Sequence, residues 1–125
     1  MELEILPWEM SVCQIASVTE ADRTAEFFSL SRTDEEISLV CRTEDVPVGA
    51  LRREDGWRGF RIRGVLDFSL IGILSRLTGV LAEQGVGVFA LSTYNTDYIL
   101  VRAADLDRAL QALEAAGYTT AYRKE

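Results

Sequence analysis

The 125-residue chain contains no histidine. That absence removes the commonest general base and the commonest metal ligand together. Ser-His-Asp and Cys-His chemistries cannot be assembled from it. Cysteine is scarce: Cys13 and Cys41 are the only two, whereas a thiolate metal site needs about four. So sparse a pair argues against a disulfide framework. Both lie in apolar, strand-like runs and read as buried, inert thiols. No apolar run approaches the ~20 residues of a membrane helix. The acidic start, Met1-Glu2-Leu3-Glu4, lacks the basic opening of a signal peptide. A cytoplasmic location is the default expectation, with no membrane partner. Positive charge is also short. Residues 1–64 carry a net −5 and residues 65–125 a net −2, for −7 in all. With no Lys/Arg stripe, such a chain repels a phosphate backbone, and nucleic acid is not an expected partner. No phosphate loop of the G-K-[ST] kind occurs. No metal, no cofactor and no enzymatic activity are expected, because there is no nucleophile–base pair to carry one.

What is present is an ordinary globular composition, 48% apolar. A chain of this size can bury roughly two-thirds of its unfolded surface without a staple. It is one compact unit or two very small ones. Residues 1–10 pattern weakly. Leu3 and Ile5 alternate with Glu2 and Glu4, so a short edge strand fits, interrupted at Pro7-Trp8. Residues 11–17 alternate well enough for a strand. Residues 19–26 are polar and allow at most two helical turns, capped by Thr19 or Asp22. Phe27–Arg32 and Glu36–Arg42 read as a hairpin around Thr33-Asp34-Glu35. Glu44-Asp45-Val46-Pro47 reads as the start of a short, weak helix, ended by Gly56.

The second half is clearer. Residues 57–66 alternate as a strand. Asp67 or Ser69 caps a helix whose Leu70, Ile73, Leu74, Leu77, Val80 and Leu81 follow the i, i+3, i+4, i+7 spacing. Gly85 closes that helix. Residues 86–93 form a strand, Tyr94-Asn95-Thr96 a turn, and residues 97–103 the returning strand. A second helix, capped by Asp105 or Asp107, carries Leu106, Ala109, Leu110 and Leu113 and ends at Gly117. Tyr118–Arg123 is a last strand. The order strand-helix-strand-strand-helix-strand is the ferredoxin-like βαββαβ motif, an α+β fold with an antiparallel four-stranded sheet and both helices on one face.

The chain also repeats itself at an offset of 61. Phe28-Ser29-Leu30-Ser31 falls on Phe89-Ala90-Leu91-Ser92, Leu39-Val40 on Leu100-Val101, Asp34 on Asn95, Glu36 on Asp97 and Gly56 on Gly117. The expected organisation is a degenerate first unit over residues 1–56 and a complete second unit over 57–125. The first copy lacks an obvious last strand, which is either shared with the second copy or borrowed from elsewhere.

Two stretches carry candidate chemistry. Residues 85–90 match G-x-G-x-x-A, but the match follows a helix and opens a strand, the reverse of a dinucleotide fingerprint. The helix start at Asp67–Gly72 offers free N–H groups suited to a carboxylate. Gly72 in the first turn costs about 1 kcal/mol against alanine, which fits close approach by a ligand or close helix–strand packing; Gly79 fits packing. Ser92-Thr93-Tyr94-Asn95-Thr96-Asp97 is a polar hairpin tip, and such tips are usually solvated turns. Yet Asp97 opens an otherwise apolar strand, where a carboxylate suits an ammonium. Together the two ends describe a pocket for an amino-acid zwitterion. The aromatic residues Trp8, Trp57, Tyr94, Tyr98, Tyr118 and Tyr122 raise an RNA-recognition alternative, but the RNP1 pattern is missing and the charge is wrong.

At this point the residues resemble a known family. The string Gly64-Val65-Leu66-Asp67-Phe68-Ser69-Leu70-Ile71-Gly72-Ile73-Leu74, followed by residues 88–101, closely resembles small bacterial tandem ACT-domain proteins. It is similar to the ACT pairs of the cytosolic arginine sensor of animal cells. The Phe28–Cys41 string extends the resemblance over nearly the whole chain. The resemblance implies βαββαβ regulatory modules that bind amino acids at interfaces between paired domains. Carried over residue by residue, it implies ligand contacts at Asp67, Ser69, Gly72, Ile73, Leu74, Thr93 and Asp97, with Asn95 at the same tip. Gly87 and Val88 would come from a neighbouring domain. The sensor has glycine where this chain has Asp67. The first copy has Arg32-Thr33-Asp34-Glu35-Glu36 where the second has Thr93–Asp97, so its site is expected to be degenerate. The implied function is a non-catalytic amino-acid-binding regulatory module, working as a homodimer and acting on a regulated protein partner. An interaction module with vestigial sites is the alternative.

Overall fold

The computed structural model describes residues 1–63 and 72–124. The chain divides into two compact units. A terminal unit joins Met1–Pro7 to Arg58–Glu125, and an inserted unit comprises Trp8–Trp57. In chain order the strands and helices are β1 (Glu2–Ile15), β2 (Phe28–Arg32), β3 (Ile37–Arg42), β4 (Arg52–Ile62), α1 (Ile73–Glu83), β5 (Val88–Ser92), β6 (Asp97–Arg102), α2 (Leu106–Ala115) and β7 (Thr119–Tyr122). Strands β1 and β4 each contribute to both units.

The terminal unit runs β4-α1-β5-β6-α2-β7, the expected βαββαβ order. Its strands lie in the order β7-β1-β4-β6-β5. The start of β1 is therefore an additional strand, held between β7 and β4. It pairs in parallel with β7, Leu3 opposite Thr120 and Ile5 opposite Tyr122, and its Glu2 carbonyl accepts from the Arg63 amide at 2.9 Å. Glu4 Oε1 accepts from Arg61 Nε at 2.8 Å and from Arg123 Nη2 at 2.8 Å, which ties β1 to β4 and to the residue after β7. Burial works against that carboxylate's charge, but the two guanidinium groups prevail and hold it below its ordinary value. The apolar side of the sheet supplies Leu3, Ile5, Phe60, Ile62, Ile99 and Val101 to a core completed by Leu77 and Leu81 of α1 and by Leu106, Ala109, Leu110 and Leu113 of α2. The helical spacing read from the sequence therefore marks the faces that are buried. Both helices close as expected. The Val86 amide returns to the Leu81 carbonyl beyond Gly85, and the Tyr118 amide to that of Leu113 beyond Gly117, each at 3.0 Å.

The inserted unit has strand order β2-β3-β1-β4. Its β1–β3 ladder runs from Met10–Arg42 to Ile15–Ile37, and β2–β3 from Phe28–Cys41 to Arg32–Ile37. The last strand missing from the first copy is the start of β4, where the Leu51 amide donates to the Gln14 carbonyl at 2.8 Å; the shared-strand reading is the correct one. Only short 3-10 turns, Val18–Glu20 and Thr43–Asp45, replace helices among the described residues of this unit. The first is capped by Ser17, not by Thr19 or Asp22. The second occupies the expected helix start at Glu44, and no helix follows. The core is small: Cys13, Ile15, Ala21, Leu39 and Cys41. Both thiols are free and buried, and burial pushes the Cys41 thiol up to about 12.

Several local expectations need correction. Pro7 does not interrupt β1. Pairing with β7 ends at Ile5 and pairing with β3 begins at Met10, so Pro7 falls in the gap between these two ladders. Gly56 does not end a helix; it lies inside β4 with φ 84°, a left-handed conformation that favours glycine. Gly79 does not pack against a strand: it is exposed, and a Cβ there would meet nothing within 4 Å.

The repeat is real in three dimensions, but its offset is 60. The β2–β3 ladder pairs Phe28 with Cys41 and Arg32 with Ile37; the β5–β6 ladder pairs Val88 with Val101 and Ser92 with Asp97. Buried Leu39-Val40-Cys41 matches buried Ile99-Leu100-Val101. The 3-10 turn Thr43–Asp45 matches Ala103–Asp105. A one-residue slip turns every strand side chain to the opposite face. Glu36 therefore corresponds to Thr96, and Ile37 to Asp97.

Candidate functional site

The β5–β6 hairpin builds the candidate site from a threonine-closed turn. The Thr93 amide donates to the Thr96 carbonyl at 2.8 Å, and Thr93 Oγ1 accepts from the Thr96 amide at 3.3 Å. Thr33 and Glu36 repeat these contacts at 2.9 and 3.2 Å. The two tips then diverge. Thr96 is 4% exposed, and its Oγ1 donates to the Ile62 carbonyl at 2.7 Å. That bond fixes the tip to the end of β4. Nothing local in the sequence marks Thr96, because its partner is 34 residues away. Glu36 occupies the matching position in the inserted unit and is exposed.

Asp97 is half-buried and pairs in register with Ser92, whose Oγ donates to Asp97 Oδ1 at 2.6 Å. Strand alternation puts Asp97 on the side of Ile99 and Val101, the side that carries the helices. Thr93 and Asn95 are exposed at the tip. Gly72 precedes α1 as its N-cap, with φ 78°, and gives no side-chain cap to the first-turn amides. A Cβ there would meet nothing within 4 Å. Close packing among the described residues does not explain this glycine; the positive φ does. Ile73 and Leu74 lean on the core in the first turn. Asp67 and Ser69 lie outside the described residues.

The hairpin tip and the end of β4 are thus together, and α1 is the next described helix after β4. Gly87 and Val88 are not part of this assembly. Both are exposed, and Val88 opens β5 while Ser92 closes it, about 13 Å apart along a strand.

In the inserted unit a groove of about 320 Å³ lies at the matching end, lined by Gln14, Ala16, Arg32, Asp34, Glu36 and Leu51 among others. Every residue from Ser31 to Glu36 is exposed. Among the described residues no group of three or more His, Cys, Asp or Glu could hold a metal ion, and no helix is long and apolar enough to cross a membrane. Trp57 is 8% exposed, while Trp8 packs on Phe27 at 5.9 Å with Arg42 5.5 Å above its ring. These two tryptophans do structural work rather than forming an open stacking platform.

A model of the ACT domain family matches residues 52–115. A second family model, describing an N-terminal domain, matches residues 11–49. Among solved structures, a protein of Agobacterium tumefaciens is 30% identical with a TM-score of 0.86, over 99% of this chain and 94% of that one. A Vibrio cholerae protein described as of unknown function and a possible transport protein is 19% identical with a TM-score of 0.71, over 89% of this chain and 85% of that one. The ligand-free regulatory subunit of aspartate kinase from Thermus thermophilus is 10% identical with a TM-score of 0.66, over 92% of this chain and 96% of that one. The last two are likenesses of fold alone.

Proposed function

Because the chain belongs to the ACT domain family, we propose that it is a non-catalytic regulatory module of the cytoplasm that binds a free amino acid or a similar small zwitterion at the hairpin end of its terminal unit. The observation that carries this reading is the Thr96–Ile62 hydrogen bond. It holds the Asp97 carboxylate at the strand end from which the chain passes into α1. Asp97 would take the ligand's ammonium, and the first-turn amides of α1, to which the N-cap Gly72 gives no side-chain bond, its carboxylate. Ser92 orients Asp97 by donating to one of its oxygens, leaving lone pairs for the ligand. Thr93 and Asn95 would frame the entrance. Gly87 and Val88, at the far end of β5, would serve the site of a second copy, which makes the working form a homodimer. Regulation then passes through the dimer to a protein partner.

A thermal-shift screen against the twenty amino acids tests this. At a hundred times its dissociation constant, a ligand should add about 2.7 kcal/mol of stability. The shift should vanish in Asp97→Ala. A shift that persists in Asp97→Ala removes that residue from the site. No shift with any amino acid favours the interaction-module alternative. Sedimentation of wild type and Val88→Glu tests the dimer, which the added charge should weaken.

A further inference from the structure

Strands β1 and β4 have no single owner. The fourteen-residue β1 gives Leu3 and Ile5, at 0% and 1% exposure, to the terminal core, and Cys13 and Ile15, at 4% and 2%, to the inserted one. The later part of β4 gives Phe60 and Ile62 to the terminal core. Its earlier part gives the inserted unit Asp55, which accepts from Ser11 Oγ at 2.6 Å and from both Arg53 Nε and Nη2. The two strands are hydrogen-bonded near both ends, Arg63 to Glu2 and Leu51 to Gln14.

Neither unit is complete without these strands. The terminal unit without Met1–Pro7 loses three fully buried side chains, Leu3, Ile5 and Leu6. The inserted unit has a core cluster of five buried apolar residues, with Met10, Val40 and Trp57 buried outside that cluster and no α-helix among its described residues. A segment of about 50 residues with so little to bury is marginal alone. We propose that the two units form one cooperative element, so that whatever steadies or opens one does the same to the other. The inference concerns folding and holds with or without a ligand.

Native-state hydrogen exchange on the full chain tests it, with Leu39→Ala in the inserted core and Leu113→Ala in the terminal core. The amides of β3 and β6 report on the two units. Each variant should speed exchange by a similar factor in both strands, about thirtyfold or more. Acceleration of β3 by Leu39→Ala with β6 unchanged would overturn the proposal. Should either variant not fold, urea titration of the wild type followed at the same amides decides. One shared midpoint is expected, and two separate midpoints would refute cooperativity.

Discussion

Replacing Leu3 with alanine tests the placement of the first strand. From the sequence alone this position sits in a weakly patterned stretch, where truncation should cost little. In the fold Leu3 is fully buried, paired with Thr120 in the parallel β1–β7 ladder and packed into the core beneath the helices. A buried leucine truncated to alanine costs about 2–5 kcal/mol. The upper part of that range applies, because strands on both sides and a helical layer above keep the cavity from collapsing. Against a total stability of about 5–15 kcal/mol the loss is large. At roughly 3–5 °C per kcal/mol for a chain of this size, a loss in that upper part should lower Tm by about 10–25 °C. Equilibrium urea denaturation and calorimetry would measure it. Glu2→Ala is the control. Its side chain is 42% exposed and pairs with Arg63 at 3.1 Å, so its loss should stay below about 1 kcal/mol. A Leu3→Ala loss that is equally small, with an unchanged denaturant slope, would show that β1 is not part of the terminal core.

Gly72→Ala should destabilise by roughly 1–2 kcal/mol, because alanine must adopt a left-handed conformation there. Gly79→Ala, at an exposed mid-helix position with free space for a Cβ, should stabilise by roughly 0.5–1 kcal/mol; thermal denaturation that reverses this order refutes both assignments. Thr96→Val should cost about 1–3 kcal/mol by leaving the Ile62 carbonyl unpaired, and chemical-shift changes should appear at residue 62 as well as in the hairpin. The carboxyl of Glu4 is held below its ordinary value in the fold. Its contribution is therefore present above the ordinary carboxylate range and lost as pH falls through the lower folded value. Urea midpoints measured on acidification should fall more steeply in wild type than in Glu4→Gln.

The terminal unit was legible because its signals agree. Helical spacing from Ile73 to Leu81 and from Leu106 to Leu113, stops at Gly85 and Gly117, and alternating strands all point to one order. The inserted unit was harder because its helices have shrunk to single 3-10 turns, leaving only hairpin residues as a guide. The offset of 61 rested on Leu39-Val40 matching Leu100-Val101 by identity. The ladders instead match Leu39 to Ile99 and Val40 to Leu100, where side-chain class is kept and identity is not. Gly56 and Gly117 then supported the slip by coincidence, since one lies inside a strand and the other follows a helix. At the candidate site Asp97 stood out by its charge. Thr96 did not, because a hydroxyl that caps a carbonyl 34 residues away leaves no local trace in the sequence.

The parallel ladder of β1 and β7 sets an order of events in folding. Glu2–Ile5 pairs with Thr119–Tyr122, so the two strands that meet are more than a hundred residues apart in sequence. Closing so long a loop costs chain entropy before the contact returns any stability. The β5–β6 hairpin, whose strands are joined by a short turn, carries no such cost. Protection of the β7 amides should therefore lag behind that of β5 and β6 when refolding is followed by pulsed hydrogen exchange.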